Sequence, residues 1–267
     1  MPGRYILSKA PRVLVFSILL TITLCVSFRS TQAREQDNGR QQFQPTVSAD
    51  LSLLSKYVWR GIEVTDGGVF QPGFTGSYRG LSFNTWGNLD MTDTNNMAGD
   101  FNEIDLTLDY AFSWEMMSFD FGFIHYTFPN TGALATTELF ASAAADVFLS
   151  PSLTIYQDID EGEGTYLSLG IAYGFDSVWK ASDNISMSIN LSLSIGFGSS
   201  EHNEFYYSVD KSRFTDLLFN ASAPITLSDH WSVSPEVHVS TLLDGDIRDS
   251  MRPDANIWGG ITVSCRY

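Results

Sequence analysis

Cysteine is nearly absent from this chain, bases are scarce, and no apolar run is long after the first thirty residues. The 267 residues hold two cysteines, and Cys25 lies in the N-terminal segment. Cys265 therefore has no intrachain partner once that segment is removed, which excludes a disulfide framework and a thiolate metal site. Fifteen Lys and Arg stand against 31 Asp and Glu, for a net charge of −16. So acidic a chain is not a nucleic-acid binder. The sustained apolar stretch from Val13 to Val26 is short of the roughly 20 residues of a helical span, and nothing later approaches it. If the chain enters a membrane, strands must carry it there.

What is present at the N-terminus reads as an export signal. Arg4, Lys9 and Arg12 precede the apolar stretch, and Thr31-Gln32-Ala33 follows it as a small-residue exit, so residues 1–33 are expected to be a cleaved secretory signal peptide. Leu24 before Cys25 argues against lipid attachment. Residues 34–46 are polar and Gln-rich, and form an expected flexible periplasmic lead-in. Removing 1–33 takes away Arg4, Lys9, Arg12 and Arg29 and no acid. The mature chain then has 11 bases against 31 acids, a charge of −20.

From about Ser48 onward the dominant signal is a period of two. Ile104, Leu106, Leu108, Tyr110 and Phe112 share one face, as do Leu167, Leu169, Ile171, Tyr173 and Phe175, with polar residues between them. Such alternation marks strands with one oily and one polar face. The strands run to about ten residues, and the links between them alternate short and long. A soluble β-sandwich rarely does this, whereas a transmembrane β-barrel requires it. The fold expected over 47–267 is therefore all-β, a closed antiparallel transmembrane β-barrel of about 12 strands. The first strand is read as Ala49–Trp59 and the tenth as Phe214–Ile225, with Gly198–Ser212 and Leu242–Ala255 as long polar loops.

Two aromatic girdles are expected at the membrane interfaces. Tyr78, Phe112, Trp114, Phe148, Phe175, Trp231 and Tyr267 fall at the short-turn ends, and Trp59, Phe70, Phe128, Tyr166, Phe197 and Phe214 at the other. The opposite, polar face carries Lys56, Asn84, Asn88, Asp105, Asp109, Asp120, Glu138, Asp146, Asp216, Asn220, Glu236, His238 and Arg266. Carboxylates are too costly to face lipid, so these residues are read as lining the lumen, where acids in excess favour cations. Ser168, Gly170, Ala172 and Gly174 leave room along one wall that a loop could occupy as a plug. The acidic segment Asp158 to Gly164 lacks the spacing of a calcium loop, and no metal or cofactor is implied. Glu236, His238 and Ser240 line up on one face, the best hydrolase constellation available together with His125, but polar lumen residues align in this way by default.

The stretch Leu53 to Ile62 contains Ser55, Tyr57, Arg60 and Gly61, and Asp66 and Gly67 follow. It resembles the start of the TorF family of porins, as does the later Trp86-Gly87-Asn88. The resemblance covers the first two hairpins and implies an outer-membrane barrel without supplying catalytic residues. Read physically, Arg60-Gly61 ends a strand, and Arg60 can reach Asp66 or a lumen carboxylate. The last strand ends at Tyr267, which resembles the terminal signal recognised by the outer-membrane assembly machinery. The expected function is a porin-like channel in a Gram-negative outer membrane, passing small solutes through an acidic, cation-preferring lumen. Its expected partners are membrane lipids, lipopolysaccharide, the assembly machinery and small solutes. The alternatives are a structural or adhesive barrel with a plugged lumen, or an outer-membrane hydrolase.

Overall fold

The computed structural model describes residues 44–267. The signal peptide assigned to 1–33 and most of the lead-in at 34–46 lie outside the described residues. Fifteen strands follow in chain order: β1 (Thr46–Leu54), β2 (Tyr57–Trp59), β3 (Ile62–Thr65), β4 (Val69–Tyr78), β5 (Leu81–Asp90), β6 (Phe101–Trp114), β7 (Met117–Thr127), β8 (Thr136–Ala145), β9 (Ser152–Asp158), β10 (Thr165–Lys180), β11 (Ser186–Gly198), β12 (Arg213–Ser222), β13 (Ile225–Thr226), β14 (Trp231–Leu242) and β15 (Ala255–Arg266). Two helices, α1 (Ser200–Tyr207) and α2 (Gly245–Ser250), lie in the last two long loops.

All strands except β2 and β3 join one antiparallel sheet, in which β1 pairs with β4 on one side and with β15 on the other. Pairing of the first wall strand with the last closes the sheet and leaves no edge, as a strand structure in lipid demands. Beyond Ala223 and Pro224, β13 continues the line of β12, and both pair with β11 and β14. The wall therefore has twelve staves, the number the alternation predicts. Links at one end are short, such as Arg79-Gly80 and Glu115-Met116, while those at the other carry 91–100, 199–212 and 243–254. These are the turn end and the loop end.

The alternation decides what faces out. Leu51, Phe74, Phe83, Leu106, Leu108, Phe121, Phe123, Leu169, Ile171, Val237 and Ile261 are all exposed on the outer surface. A soluble protein would hide these side chains, but a bilayer solvates them. At the turn end Tyr78, Phe112, Trp114, Phe148, Phe175, Trp231 and Tyr267 are exposed as the girdle requires. At the loop end the girdle is corrected. Phe214 is exposed, but Trp59, Phe128 and Tyr166 are buried inside the barrel.

The first strand is also corrected. β1 stops at Leu54, and the chain then leaves the wall and enters the barrel. At this departure Ser55 N–H donates to the Gly259 carbonyl (2.9 Å), and Gly259 N–H donates to Ser55 Oγ (3.2 Å). Tyr57 to Thr65 form a separate two-stranded sheet whose residues are almost all buried. Trp59 pairs with Ile62 across Arg60 (φ 44°) and Gly61 (φ 82°). Positive φ at both central residues is the two-residue turn that matches strand twist. At Gly61 the space demands glycine as well, since a Cβ would stand 2.5 Å from Leu242 Cδ2.

Candidate functional site

The β2–β3 hairpin, α1 and α2 fold into the loop-end half of the barrel and pack there as its apolar core. Tyr57, Trp59, Ile62, Tyr206, Tyr207 and Ile247 meet wall residues such as Tyr126, Phe140, Tyr156, Tyr166 and Leu242. Helix α1 starts at Ser199, whose side chain accepts from His202 N–H. It inserts His202, Asn203, Tyr206 and Tyr207. Helix α2 is capped by Asp244 and buries Ile247. Wall residues at this level are shut off from water: Asn88, Glu103, Asp105 and Leu242 are 0% exposed, Tyr126, Glu138 and Asp158 1%, Asp216 3% and Tyr166 4%. They span the wall from β5 round to β14, so the lumen is closed by a dry layer.

One ion pair sits at the centre of that layer. Arg60 Nη2 donates to Glu138 Oε2 at 2.9 Å, and both side chains are almost fully buried. Tyr126 OH donates to the same Glu138 oxygen, also at 2.9 Å. The Arg60 guanidinium lies 3.9 Å from the ring centre of Tyr166, 5.0 Å from that of Tyr156 and 4.5 Å from that of Trp59. A planar, weakly hydrated cation between aromatic faces is a favourable arrangement. Tyr207 OH holds the turn by donating to the Arg60 carbonyl at 2.7 Å. Tyr166 OH donates to Asp216 at 3.0 Å, and Tyr206 OH to Asp158 at 3.2 Å. The outer end of the hairpin is tied by Thr65 Oγ1, which donates to Asp90 at 2.8 Å. Asp90 also receives Asn88, Asn95 and Asn102.

The layer carries strain of an electrostatic kind. Arg60 Nε and Nη1 and both His202 ring nitrogens are buried with no protein hydrogen-bond partner, while the Glu103 and Asp105 carboxyl groups are buried against one another. Each such group forgoes about 1–3 kcal/mol of hydration. Among the described residues Arg60 is the one buried Lys or Arg, against the buried carboxylates of Asp90, Glu103, Asp105, Glu138, Asp158 and Asp216.

His202 gives the packing of α1 against the hairpin a pH dependence. Its imidazole packs 4.6 Å from Tyr206 and 5.2 Å from Tyr166, with the Arg60 guanidinium as the charged group nearby. Burial, then the Arg60 charge, pushes its pKa well below 6.5. A depressed histidine pKa means that the opened state takes up the proton first, so the plug's stability is retained above about pH 6.5 and falls as pH drops below it. The slope is at most about 1.4 kcal/mol per pH unit. The protection factors of the Tyr57–Thr65 amides, taken against the intrinsic exchange rate at each pH, should fall between pH 7.5 and 5 in the native chain. The fall should shrink in His202→Phe; an unchanged pH dependence of protection in that variant would rule this role out.

The ten titratable residues assigned to the lumen from sequence divide into three groups. Asp105, Glu138 and Asp216 belong to the dry layer. Asp109, Asp120, Glu236 and His238 lie on the inner face nearer the turn end and are half-buried, beside small polar side chains. There Asp50 accepts from Ser264 (2.5 Å), Glu236 from Thr262 (2.7 Å), and His238 Nδ1 contacts Asn220 Oδ1 (2.6 Å). Of the remaining three, Asp146 and Lys56 are off the wall strands and Arg266 is at the wall's rim. Asp146 is exposed in the turn after β8, and Arg266 is exposed at the rim where β15 ends. Lys56 is on no wall strand: it pairs with Glu63 and with Asp66 (2.9 Å) at the base of the hairpin. Arg60 therefore chooses the lumen carboxylate over Asp66. Of the hydrolase constellation only part assembles: His238 Nε2 stands 3.7 Å from Glu236 Oε2. Ser240 Oγ has no hydrogen-bond partner, and His125 bonds Thr137 on the outer face. Among the described residues no group of three or more His, Cys, Asp or Glu could hold a metal ion.

The profile of a family described as "Bacterial protein of unknown function (Gcw_chp)" matches residues 40–203, which run from before β1 into α1. The chain belongs to the Gcw_chp family. That name, not TorF, is the one the match supports, while the hairpin residues Ser55, Tyr57, Arg60, Gly61, Asp66 and Gly67 all fall within the matched Gcw_chp segment. No curated protein sequence matches the chain. Among solved structures it is similar to the KdgM porin, at 13% identity over 82% of this chain and 98% of that one with a TM-score of 0.49. It is also similar to the NanC porin, at 10% identity over 82% and 98% with a TM-score of 0.48. An outer-membrane channel from Pseudomonas putida F1 is similar at 10% identity over 84% and 94%, with a TM-score of 0.45.

Proposed function

We propose that this Gcw_chp barrel is a gated, porin-like channel of a Gram-negative outer membrane. In this reading the turn end faces the periplasm as a hydrated acidic vestibule, and the β2–β3 hairpin with α1 closes the outer half. The observation that carries the proposal is the construction of the plug. It branches from the wall at Ser55, forms no ladder with the wall sheet, and keeps a cation buried with two of its nitrogens unpartnered. A permanent filling would use paired or apolar groups, which hold a core together at less expense. The reading is of a transporter and not an enzyme. Lipid and lipopolysaccharide would surround the wall, the assembly machinery would take up the strand ending at Tyr267, and small solutes would be the cargo.

Cation preference follows from the vestibule's charge. Asp50, Asp109, Asp120 and Glu236 stand on its inner face, and the base nearest them in the wall pattern is Arg266 at the rim. Such a field attracts cations and repels anions. The test is conductance of the purified mature chain in planar bilayers under a salt gradient. We expect discrete steps with a cation-selective reversal potential. Asp109→Asn, Asp120→Asn and Glu236→Gln together should move that potential towards zero; no movement would refute the vestibule as the filter.

The dry layer itself favours a second reading, a closed structural barrel. Silence of both the native chain and a plug-loosened variant, with normal folding, would decide for it.

A further inference from the structure

The groups around Arg60 suit a guanidinium, and apart from Trp59 they belong to the wall sheet and not to the hairpin. Tyr126, Glu138, Tyr156 and Tyr166 stand on β7, β8, β9 and β10, neighbours in one hydrogen-bonded sheet. Arg60 alone among the members of this ion pair and its wall partners belongs to the separate hairpin sheet. When the hairpin withdraws, two aromatic faces and a carboxylate held by Tyr126 are left converging on the space the guanidinium occupied. The charge balance sharpens this. Arg60 is the one buried base in the layer, so its departure leaves Glu138, Asp158 and Asp216 there without a cation. Uncompensated carboxylates in a narrow, aromatic-lined space draw in the cation that fits the space.

We propose that this wall pocket is a binding site for organic cations of the guanidinium or primary-amine class, and that Arg60 fills it as a tethered occupant when the barrel is shut. An entering cation takes the Arg60 position between Tyr156 and Tyr166 and pairs with Glu138. Withdrawal of the plug and entry of the cargo are thereby one exchange of cations. The aromatic faces favour a flat or alkylated cation over a strongly hydrated metal ion. The proposal rests on reading the hairpin as a gate, and it names the cargo class and the seat of recognition.

The test uses the full mature chain in detergent micelles, with ethylguanidinium as probe and ethylurea as its uncharged counterpart. In Arg60→Ala, ethylguanidinium should bind saturably and slow the exchange of Tyr57–Thr65 amides. Ethylurea should be weaker by about tenfold or more. Adding Glu138→Gln to Arg60→Ala should weaken the ethylguanidinium response by a similar factor. In the native chain agmatine should compete with Arg60 and speed exchange of the same amides, a measurement that stands even if Arg60→Ala does not fold. Equal responses to ethylurea and ethylguanidinium would overturn the site, as would a native hairpin indifferent to agmatine. Conductance is recorded separately. Probe binding in a barrel that never conducts keeps the site and removes the channel, whereas conductance without probe binding removes the site and keeps the channel.

Discussion

Arg60→Ala is expected to open the barrel. The substitution removes the guanidinium from Glu138 and from three aromatic faces, and leaves Glu138 buried with only the Tyr126 hydroxyl. Breaking a buried ion pair from one side costs about 3–5 kcal/mol, because the survivor has neither partner nor water. Spent on a closed-to-open equilibrium, the lower figure is already more than about a hundredfold shift towards open. The barrel wall should persist, since the ladders from β1 to β15 contain neither residue of the turn. Single-channel recording should therefore show a far higher open probability, and exchange of the hairpin amides should rise in parallel. The double variant Arg60→Ala/Glu138→Gln should close again in part, because it no longer strands a charge. If the single variant conducts no more than the native chain while its hairpin exchanges fast, the plug is not the gate.

Gly260→Val is expected to break the barrel at its seam. Gly260 pairs with Leu54 on one side and with Glu236 on the other, at the point where β1 turns inward to become the plug. A Cβ there would overlap the Leu53 carbonyl oxygen and come within 2.9 Å of Leu54 Cα, both backbone atoms of the bend. Neither can yield without parting β1 from β15, the pairing that closes the sheet. We expect loss of heat-resistant folded barrel on gels after refolding, and a failure of protease protection. Gly76→Val is the matched control. Gly76 lies on β4, paired with Phe83, and its Cβ would have open space around it, so that variant should refold like the native chain. Equal refolding of the two valine variants would show that the seam has slack the geometry denies.

How much of this was readable from sequence depends on how far apart the interacting residues lie. The wall was legible because its code is local. Period-two patterning over Phe101–Trp114 or Ser186–Gly198 records that each strand divides lipid from interior, and any ten-residue window contains that information. The acids at Asp105, Glu138 and Asp216 were legible as inward for the same reason. Tyr126, Tyr156 and Tyr166 were not recognised as a cluster, although one signal was available. They stand on the face that is polar elsewhere along their strands, and an aromatic out of phase with the oily face needs an interior partner. Asp146 was misplaced because parity continues on paper past the residue where a strand ends.

The sequence by itself determined the twelve-stave wall, its apolar exterior and the acidic bias of its interior, since each follows from alternation and composition along one strand at a time. Only the tertiary structure decided that the chain after Leu54 leaves the wall, and that Arg60 meets Glu138, 78 residues further on. It also decided that α1 brings His202 and Tyr207 against the same hairpin. Tyr57 to Trp59 is as apolar as a wall strand, and nothing local says which sheet it joins. Its place follows from the volume inside a closed barrel and from the carboxylates of distant strands that converge there and require a cation, a condition that exists only once the wall has formed.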